Sequence, residues 1–421
     1  MKPYYSEEFA AVYHGDCIDV MRELPDGSVD AVVTDPPYGI RFMGESWDGA
    51  DIVKRQERGK ATSPMPEGVG GPNGGYRSLA AEAGRYNRSL KASLAFMNWC
   101  REWASECYRL LKPGGHLLAF GSPRCYHQLG MGIELAGFEV RDTIAWLFGQ
   151  GFPKSLDVGK AVGKKEREAE RTWAGWGTAL KPAFEPCVVA RKPITGSVAD
   201  NVLTHGTGAL NIDACRIHTE GSEGREYKVK RFKSGSELAK TKGNWRPDDG
   251  EEYVGKTADG RWPTNVALDV AAADELDAQT GELSETKPHK FRRGATTGKG
   301  IGYGSGSTGG DAEITYEDSG GASRFFPAFR YEAKASSAER PKVDGVQHPT
   351  VKPLVLMRWL VRLVAPQGAT ILEPFAGSGT TIEACIAEGM RCIAIEREEQ
   401  YLPLILDRIS KPIDVPLPIG I

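Results

Sequence analysis

The residues Asp35-Pro36-Pro37-Tyr38 combine an acid and an aromatic ring with two stiff backbone positions. They follow Val29–Thr34, an apolar run typical of a buried strand. Proline lacks the N–H that a central strand needs, and it pushes the preceding residue toward an extended conformation. The sequence therefore predicts a strand that ends in a rigid loop, which holds a carboxylate beside a ring. A plain strand-ending turn with a solvated acid is the alternative.

A second stretch, Ile371–Thr381, ends a strand in a tight Gly377-Ser378-Gly379 turn that leads into a helix. Glycine lets the backbone turn sharply and approach a ligand closely. The next strand ends in Glu396, where an acid can accept both hydroxyls of a ribose. The combination predicts a nucleoside site rather than a turn that only joins a strand to a helix.

The identity of the nucleoside follows from what the loop lacks. Ile382 stands where a dinucleotide fingerprint requires a third glycine or an alanine. Gly294–Lys299 is one residue short of a phosphate-binding loop. S-adenosyl-L-methionine has no pyrophosphate and needs only the ribose acid, an apolar wall for adenine and a tight loop. The residues therefore favour this cofactor over NAD or ATP.

Strand and helix patterns alternate at both ends of the chain, which implies a largely parallel sheet covered on both faces. The predicted order is strand, helix and strand over 11–40, helix 90–111, strand 116–121, helix 124–136, strand 138–148, helix 353–364, strand 369–375, helix 380–389 and strand 391–396. The glycine-rich residues 41–89 suit a mobile loop. Residues 151–340 break the pattern, so we expect one α/β domain from both ends of the chain, interrupted by a separate module.

Composition places the chain among ordinary soluble globular proteins, with 40% hydrophobic and 26% charged residues. The first residues lack the pattern of a signal peptide, and no apolar run reaches membrane-spanning length. The eight cysteines show no CxxC pair, which favours reduced thiols over structural zinc. We therefore expect a cytoplasmic protein without a metal.

Three motifs resemble those of the DNA amino-methyltransferases, which methylate adenine N6 or cytosine N4. Asp35–Tyr38 matches the DPPY motif, Phe375–Thr381 matches FAGSGTT, and His348–Pro353 resembles the segment before the cofactor loop. Their order along the chain is that of the β class. The resemblance implies a permuted Rossmann-like fold that uses S-adenosyl-L-methionine and acts on double-stranded DNA.

The same resemblance implies a domain plan. Residues 1–150 would form the catalytic half, 341–421 the cofactor-binding half, and 151–340 an inserted target-recognition domain. It also implies a homodimer, because many β-class enzymes pair and two-fold symmetry is the commonest oligomeric form.

The DPPY residues have chemical roles in this family. An exocyclic amine is a poor nucleophile, since its lone pair is delocalised into the ring. Asp35 would accept one amine hydrogen and the Pro36 carbonyl the other, with Pro37 stiffening the loop. Tyr38 would stack on a base flipped out of the duplex; flipping costs a few kcal/mol and stacking returns about 1–3 kcal/mol.

The residues predicted to bind the cofactor are Asp35, Lys352, Glu373, Phe375, Gly377, Ser378, Gly379, Thr380 and Glu396. By resemblance, Lys352 would reach the cofactor's carboxylate; a solvated loop lysine is the alternative. Asp16 and Cys17 would lie near the edge of the target base, together with Tyr38, but Asp16 could equally cap the following helix. Cys187 follows Pro186 as in cytosine-C5 enzymes, yet those have the opposite motif order, so we expect a buried, inert thiol.

Basic residues concentrate in two parts of the predicted insert, 225–246 and 287–299. Phosphate contacts position a protein on DNA without reading its sequence. The predicted DNA contacts are Lys228, Lys230, Arg231, Lys233, Arg292 and Arg293. Solvated loop charge is the alternative.

Taken with the resemblance, these features predict a site-specific adenine-N6 DNA methyltransferase of bacterial or phage type, solitary rather than fused to a nuclease. Asp35 favours adenine because cytosine-N4 enzymes of this arrangement often begin the motif with serine. The alternatives are a cytosine-N4 enzyme, methylation of RNA or of a protein glutamine, and a catalytically inactive DNA-binding regulator.

Overall fold

The computed structural model describes residues 1–39, 90–149, 151, 155–217, 226–230, 252–256, 260–282, 286–292, 311–316, 320–329 and 340–413. The strands are β1 (Tyr5–Ser6), β2 (Ala10–His14), β3 (Val29–Thr34), β4 (Leu111–Phe120), β5 (Glu139–Leu147), β6 (Phe184–Arg191), β7 (Glu226–Lys230), β8 (Glu252–Lys256), β9 (Val266–Asp269), β10 (Thr286–Arg292), β11 (Asp311–Tyr316), β12 (Ala328–Phe329), β13 (Lys342–Val343), β14 (Val346–Gln347), β15 (Thr370–Glu373) and β16 (Arg391–Glu396). The α-helices are α1 (Cys17–Arg22), α2 (Leu90–Leu110), α3 (Tyr126–Leu135), α4 (Val158–Gly163), α5 (Ala169–Thr172), α6 (Val198–His205), α7 (Val270–Thr280), α8 (Leu354–Val364), α9 (Thr380–Ala387) and α10 (Leu402–Ile409). The loop predicted at 41–89 lies outside the described residues.

Ten strands form one mixed sheet in the order β1-β2-β16-β15-β3-β4-β6-β5-β9-β12. From β2 to β4 all neighbours are parallel. Strand β6 runs antiparallel between β4 and β5. The predicted α/β fold with a mostly parallel sheet is confirmed.

Strand β3 shows how the sheet is covered on both faces. Its six residues are all buried, as expected for a central parallel strand. Successive side chains of a strand point to opposite faces. Ala31 and Val33 therefore pack into the core that includes α8 and α9, whereas Val32 packs into the core that includes α2 and α3.

The two ends of the chain interleave within this sheet. Strand β15 pairs in parallel with β16 on one side and with β3 on the other, where Ile371 lies beside Ala31 and Leu372 beside Val32. The next strand of this part of the sheet after β3 is β4, on one side, and the next after β15 is β16, on the opposite side. The chain therefore continues in opposite directions from these two neighbouring strands. The carboxyl ends of two such strands enclose a crevice that commonly binds ligands. The permuted arrangement therefore brings the Asp35 loop next to the glycine turn.

The start of β4 differs from the prediction. The strand begins at Leu111 rather than at 116, because Leu111 pairs with Val29 before the register shifts and Ala31 pairs with His116. Gly114 lies inside this irregular segment with φ of +80°, a conformation that side chains disfavour. Lys112–Gly115 therefore forms a distorted part of the strand rather than a loop before it.

Part of the range assigned to the insert belongs to the main sheet. Strand β6 lies between β4 and β5, and β9 and β12 continue the sheet beyond β5. The antiparallel pairs β7–β8 and β10–β11 form separate two-stranded sheets. The main sheet thus extends into residues 151–340, and the target-recognition role of that range stays a prediction.

Candidate active site

A cavity of about 230 Å³ lies at the carboxyl ends of β3, β15 and β16. The loop after β3 contributes Asp35–Tyr38, and the loop after β15 contributes the segment that begins at Pro374. Glu396 closes the end of β16 in the same cavity. The two stretches that the sequence singled out therefore share one site.

The Asp35 carboxylate is held at both oxygens. The Tyr38 hydroxyl donates a hydrogen bond to Oδ1 over 2.7 Å, and the Lys352 ammonium donates to Oδ2 over 2.6 Å. Lys352 also donates to the Tyr38 hydroxyl over 3.1 Å. Pro36 and Pro37 line the cavity beside them. The loop after β3 thus presents an acid whose orientation is fixed before any ligand arrives.

Lys352 lies between two carboxylates. Its Nζ is 2.6 Å from Asp35 Oδ2 and 3.1 Å from Glu185 Oε2, and its side chain is only 9% exposed. Burial alone would lower the pKa of Lys352, but Asp35 and Glu185 together raise it, so the ammonium stays charged. The solvated lysine that sequence allowed as an alternative is therefore wrong. Contact with a cofactor carboxylate stays a prediction.

Tyr38 is partly buried and stays a neutral phenol. Burial, followed by the charges of Asp35 and Glu185, raises the pKa of its hydroxyl well above the ordinary value. A neutral hydroxyl can donate to Asp35, which is the bond observed. The ring lines the cavity, so one side chain supplies both a hydrogen-bond donor and an aromatic face.

Glu373 ends β15 and joins it to β3. The residue is 2% exposed; the Thr34 hydroxyl donates to Oε1 and the Thr381 hydroxyl donates to Oε2 over 2.6 Å. The Phe375 amide also donates to Oε1, over 3.0 Å. Burial raises the pKa of Glu373 to about 8, against which the hydrogen bonds act. Both oxygens are thus engaged within the protein, although the residue lines the cavity where cofactor binding was predicted.

The turn after β15 requires its glycines. Gly377 and Gly379 have φ of +55° and +81°, which side chains disfavour. A Cβ on Gly377 would lie 3.2 Å from His348, and one on Gly379 would lie 3.3 Å from the Ile405 backbone. Ser378 and Thr380 are buried beside the cavity, and helix α9 begins at Thr380.

Glu396 is in direct contact with this turn. Its Oε2 accepts a hydrogen bond from the Gly377 amide and its Oε1 accepts one from the Glu398 amide, both over 2.7 Å. Burial raises the pKa of Glu396 to about 7, although these amides favour the ionised form. Each carboxylate oxygen has a further lone pair. Glu396 can therefore hold two more donors, such as the vicinal hydroxyls of a ribose.

Apolar side chains form the wall near the turn. Phe375 and Ile395 line the cavity, and the Phe375 ring contacts Trp99 and Trp103 at centroid distances of 5.6 Å. A flat apolar ring could pack here beside a sugar held at Glu396. The residues present thus fit a nucleoside with a small polar tail.

Asp16 caps α1, because its Oδ1 accepts from the Ile18 amide over 3.0 Å. The capping interpretation is confirmed, while contact with the target base stays a prediction for Asp16 and Cys17, which also line the cavity. Burial raises the pKa of the Cys187 thiol, which confirms the expectation of a buried, inert cysteine. All eight cysteines are free thiols.

The sequence matches the model of the N6/N4 DNA methylase family over residues 29–407. The chain belongs to this family. It is 28% identical over 210 residues to the type II methyltransferase M.HindIII of Haemophilus influenzae, which covers 48% of this chain and 64% of that protein. It is 25% identical over 124 residues to M.BamHI of Bacillus amyloliquefaciens, covering 30% of this chain and 20% of that protein.

Among solved structures, the cytosine-N4-specific PvuII DNA methyltransferase is similar with 12% identity and a TM-score of 0.42, over 97% of this chain and 88% of that one. The matched region spans less than two thirds of the length of M.HindIII and of M.BamHI.

Three of the six predicted DNA contacts lie outside the residues that the structure describes. Lys228 and Lys230 lie on β7 and Arg292 on β10, with only their backbone described. Arg231, Lys233 and Arg293 lie outside the described residues. Within the described part of the chain, no helix is both long and apolar enough to cross a membrane. In that same part, no cluster of three or more His, Cys, Asp or Glu residues could hold a metal.

Glu185 is a charged residue of the cavity that the sequence did not reveal. It is the second residue of β6, which lies in the range that the sequence assigned to the insert, and the pairing of β6 with β4 and β5 places it at the cavity. No local motif marks it. The sequence feature that could have indicated it is an acid just before the apolar run that follows Pro186.

Proposed function

We propose that this DNA methylase transfers a methyl group from S-adenosyl-L-methionine to the N6 amine of an adenine flipped out of double-stranded DNA. The observation that carries the proposal is that Asp35, Tyr38, Gly377 and Glu396 line one and the same cavity. One side of it suits an amine and an aromatic base, and the other suits a nucleoside.

Four residues of the chain would hold the cofactor. Glu396 would accept the ribose hydroxyls, Gly377 would allow close approach of the backbone, and Phe375 with Ile395 would contact the adenine ring. When bound, S-adenosyl-L-methionine supplies an electrophilic methyl group on a sulfonium sulfur.

The remaining chemistry belongs to the loop after β3. Asp35 accepts one hydrogen of the target amine and the Pro36 carbonyl accepts the other, which turns the nitrogen lone pair out of the plane of the ring. As the nitrogen gained the methyl group, the methyl–sulfur bond would break and positive charge would develop on the nitrogen, which Asp35 would stabilise until the surplus amine proton left for solvent. Tyr38, held by its bond to Asp35, offers its ring to the flipped base.

Adenine is preferred over cytosine because the motif begins with Asp35, as the resemblance implies. The decisive experiment treats DNA with protein and cofactor, digests it to nucleosides and separates N6-methyladenine from N4-methylcytosine products by mass spectrometry. Detection of the cytosine product alone would refute adenine as the target base. If a folded protein that binds the cofactor formed no product, the proposal that the protein is an enzyme would be refuted.

We further propose that residues 151–340 contribute the surface that selects the DNA site and that the working protein is a homodimer. Reading several base pairs requires a surface that spans a groove, which a cavity for one base cannot provide. Sedimentation of the free protein and of its DNA complex tests the assembly, and a monomer in both would defeat the dimer.

A further inference from the structure

Three charged side chains from distant parts of the chain meet at the cavity. Asp35 follows β3, Glu185 lies on β6, and Lys352 precedes α8. Lys352 Nζ is 2.6 Å from Asp35 and 3.1 Å from Glu185. The three carry two negative formal charges and one positive charge, so the cluster is net negative.

The charge of Lys352 creates a problem for the chemistry at Asp35. An ammonium in direct contact with the acceptor carboxylate cancels its charge and repels the positive charge that develops on a methylated amine. The Lys352 ammonium also lies 4.7 Å from the centroid of the Phe120 ring, in surroundings that screen charge less than water does. A second carboxylate beside the same ammonium, that of Glu185, makes the net charge of the three side chains negative again.

We propose that Glu185 is a positioning residue for methyl transfer: it neutralises and holds Lys352, so that Asp35 faces the target amine with a net negative charge behind it. This inference rests on the proposed function. The proposed action of Glu185 passes through Lys352, whose Nζ lies 3.1 Å from Glu185 Oε2 and 2.6 Å from Asp35 Oδ2.

The test compares Glu185→Gln, Lys352→Met and the double variant at saturating cofactor and DNA. Glu185→Gln keeps the shape of the side chain but makes the cluster neutral, and kcat should fall on the order of 30-fold. The double variant has Asp35 as the one remaining charge, so its kcat should exceed that of Glu185→Gln several-fold. The KM for the cofactor should change little in Glu185→Gln.

Glu185→Asp, which keeps the charge, should stay within about tenfold of the wild type. Glu139→Gln provides the matched control, since Glu139 lies on the adjacent strand β5 and pairs with Arg191; its kcat should equal the wild-type value. Calorimetric cofactor binding by each variant verifies that it is folded.

The inference would be overturned if Glu185→Gln kept the wild-type kcat. It would also be overturned if the fold-reduction of kcat in the double variant equalled the product of the fold-reductions in the two single variants. A wild-type protein that methylates nothing would instead refute the proposed function, so the two failures are distinguishable.

Discussion

The Thr34 hydroxyl donates a hydrogen bond to the buried carboxyl group of Glu373, at the ends of two neighbouring parallel strands. Thr34 immediately precedes Asp35, and Glu373 immediately precedes the loop with the glycine turn. Because the Thr381 hydroxyl occupies the other oxygen of Glu373, the bond also reaches the first turn of α9. One buried acid therefore fixes the loop that begins at Asp35 relative to the predicted cofactor loop.

This acid gives the stability of the protein a defined pH dependence. With a folded pKa of about 8 against an ordinary value of 4.5, Glu373 keeps a proton in the folded chain that the unfolded chain has lost between these values. The free energy of unfolding should therefore fall as pH rises through this window, by up to about 1.4 kcal/mol per pH unit, and level off above it. Urea denaturation should show a shallower fall for Glu373→Gln. Equal slopes in the two proteins would contradict the prediction.

Replacement of Asp35 should separate chemistry from cofactor binding. Asp35→Ala should abolish methyl transfer, because the acceptor of the amine hydrogen is lost, while cofactor affinity stays within a few-fold. Asp35→Asn keeps the shape without the charge and should lose on the order of 10² in kcat. Labelled-methyl transfer and calorimetry measure the two quantities, and near-normal turnover of either variant would remove Asp35 from catalysis.

The ring and the hydroxyl of Tyr38 should contribute unequally. Tyr38→Phe loses the hydrogen bond to Asp35, worth about 1 kcal/mol, so kcat should fall about fivefold. Tyr38→Ala also loses the stacking face and should be slower still by about 1–3 kcal/mol in kcat/KM for DNA. Steady-state kinetics of both variants on one DNA substrate provide the measurement. Equal losses of kcat/KM in Tyr38→Phe and Tyr38→Ala would mean that the hydroxyl, and not the ring, contributes to catalysis.

Loss of Glu396 should weaken cofactor binding. Glu396→Ala removes charge-assisted hydrogen bonds to the ribose, which should raise the dissociation constant by about 1.5–3 kcal/mol. Since burial raises the pKa of Glu396 to about 7, wild-type affinity should increase from pH 6 to pH 8 as the carboxylate ionises. Calorimetry measures both, with the exposed Glu399→Ala as control; unchanged binding in Glu396→Ala would place the ribose acid elsewhere.

The basic residues predicted to contact DNA can be neutralised together. Replacing Lys228, Lys230, Arg231 and Lys233 by glutamine should weaken binding to every DNA sequence and flatten its salt dependence by up to about 0.9 per lost phosphate contact. Binding titrations over a range of salt concentrations provide the measurement. If the affinity and the salt dependence were unaltered, these residues would be solvated loop charges that do not contact DNA.

Local patterns predicted most of the elements that build the cavity. Strand β16 was predicted with its observed bounds, and β3 and α8 nearly so, because apolar periodicity and proline or glycine boundaries act within a few residues. The partners of Lys352 could not be predicted in the same way. They depend on β6 joining the sheet between β4 and β5, which is a pairing between distant segments rather than a property of either one.

The position of β15 beside β3 also determines when the sheet can be completed during synthesis. Thr370, which donates to Asp30 across these strands, follows it by 340 positions. At about 5–20 residues per second, a ribosome needs roughly 20–70 s to make that stretch. Throughout this time the β15-facing edge of β3 has no native partner and can pair with other chains. Newly made chains are therefore most prone to aggregate before β15 emerges, and a brief pulse of chaperone protection in that interval should raise the yield of folded protein.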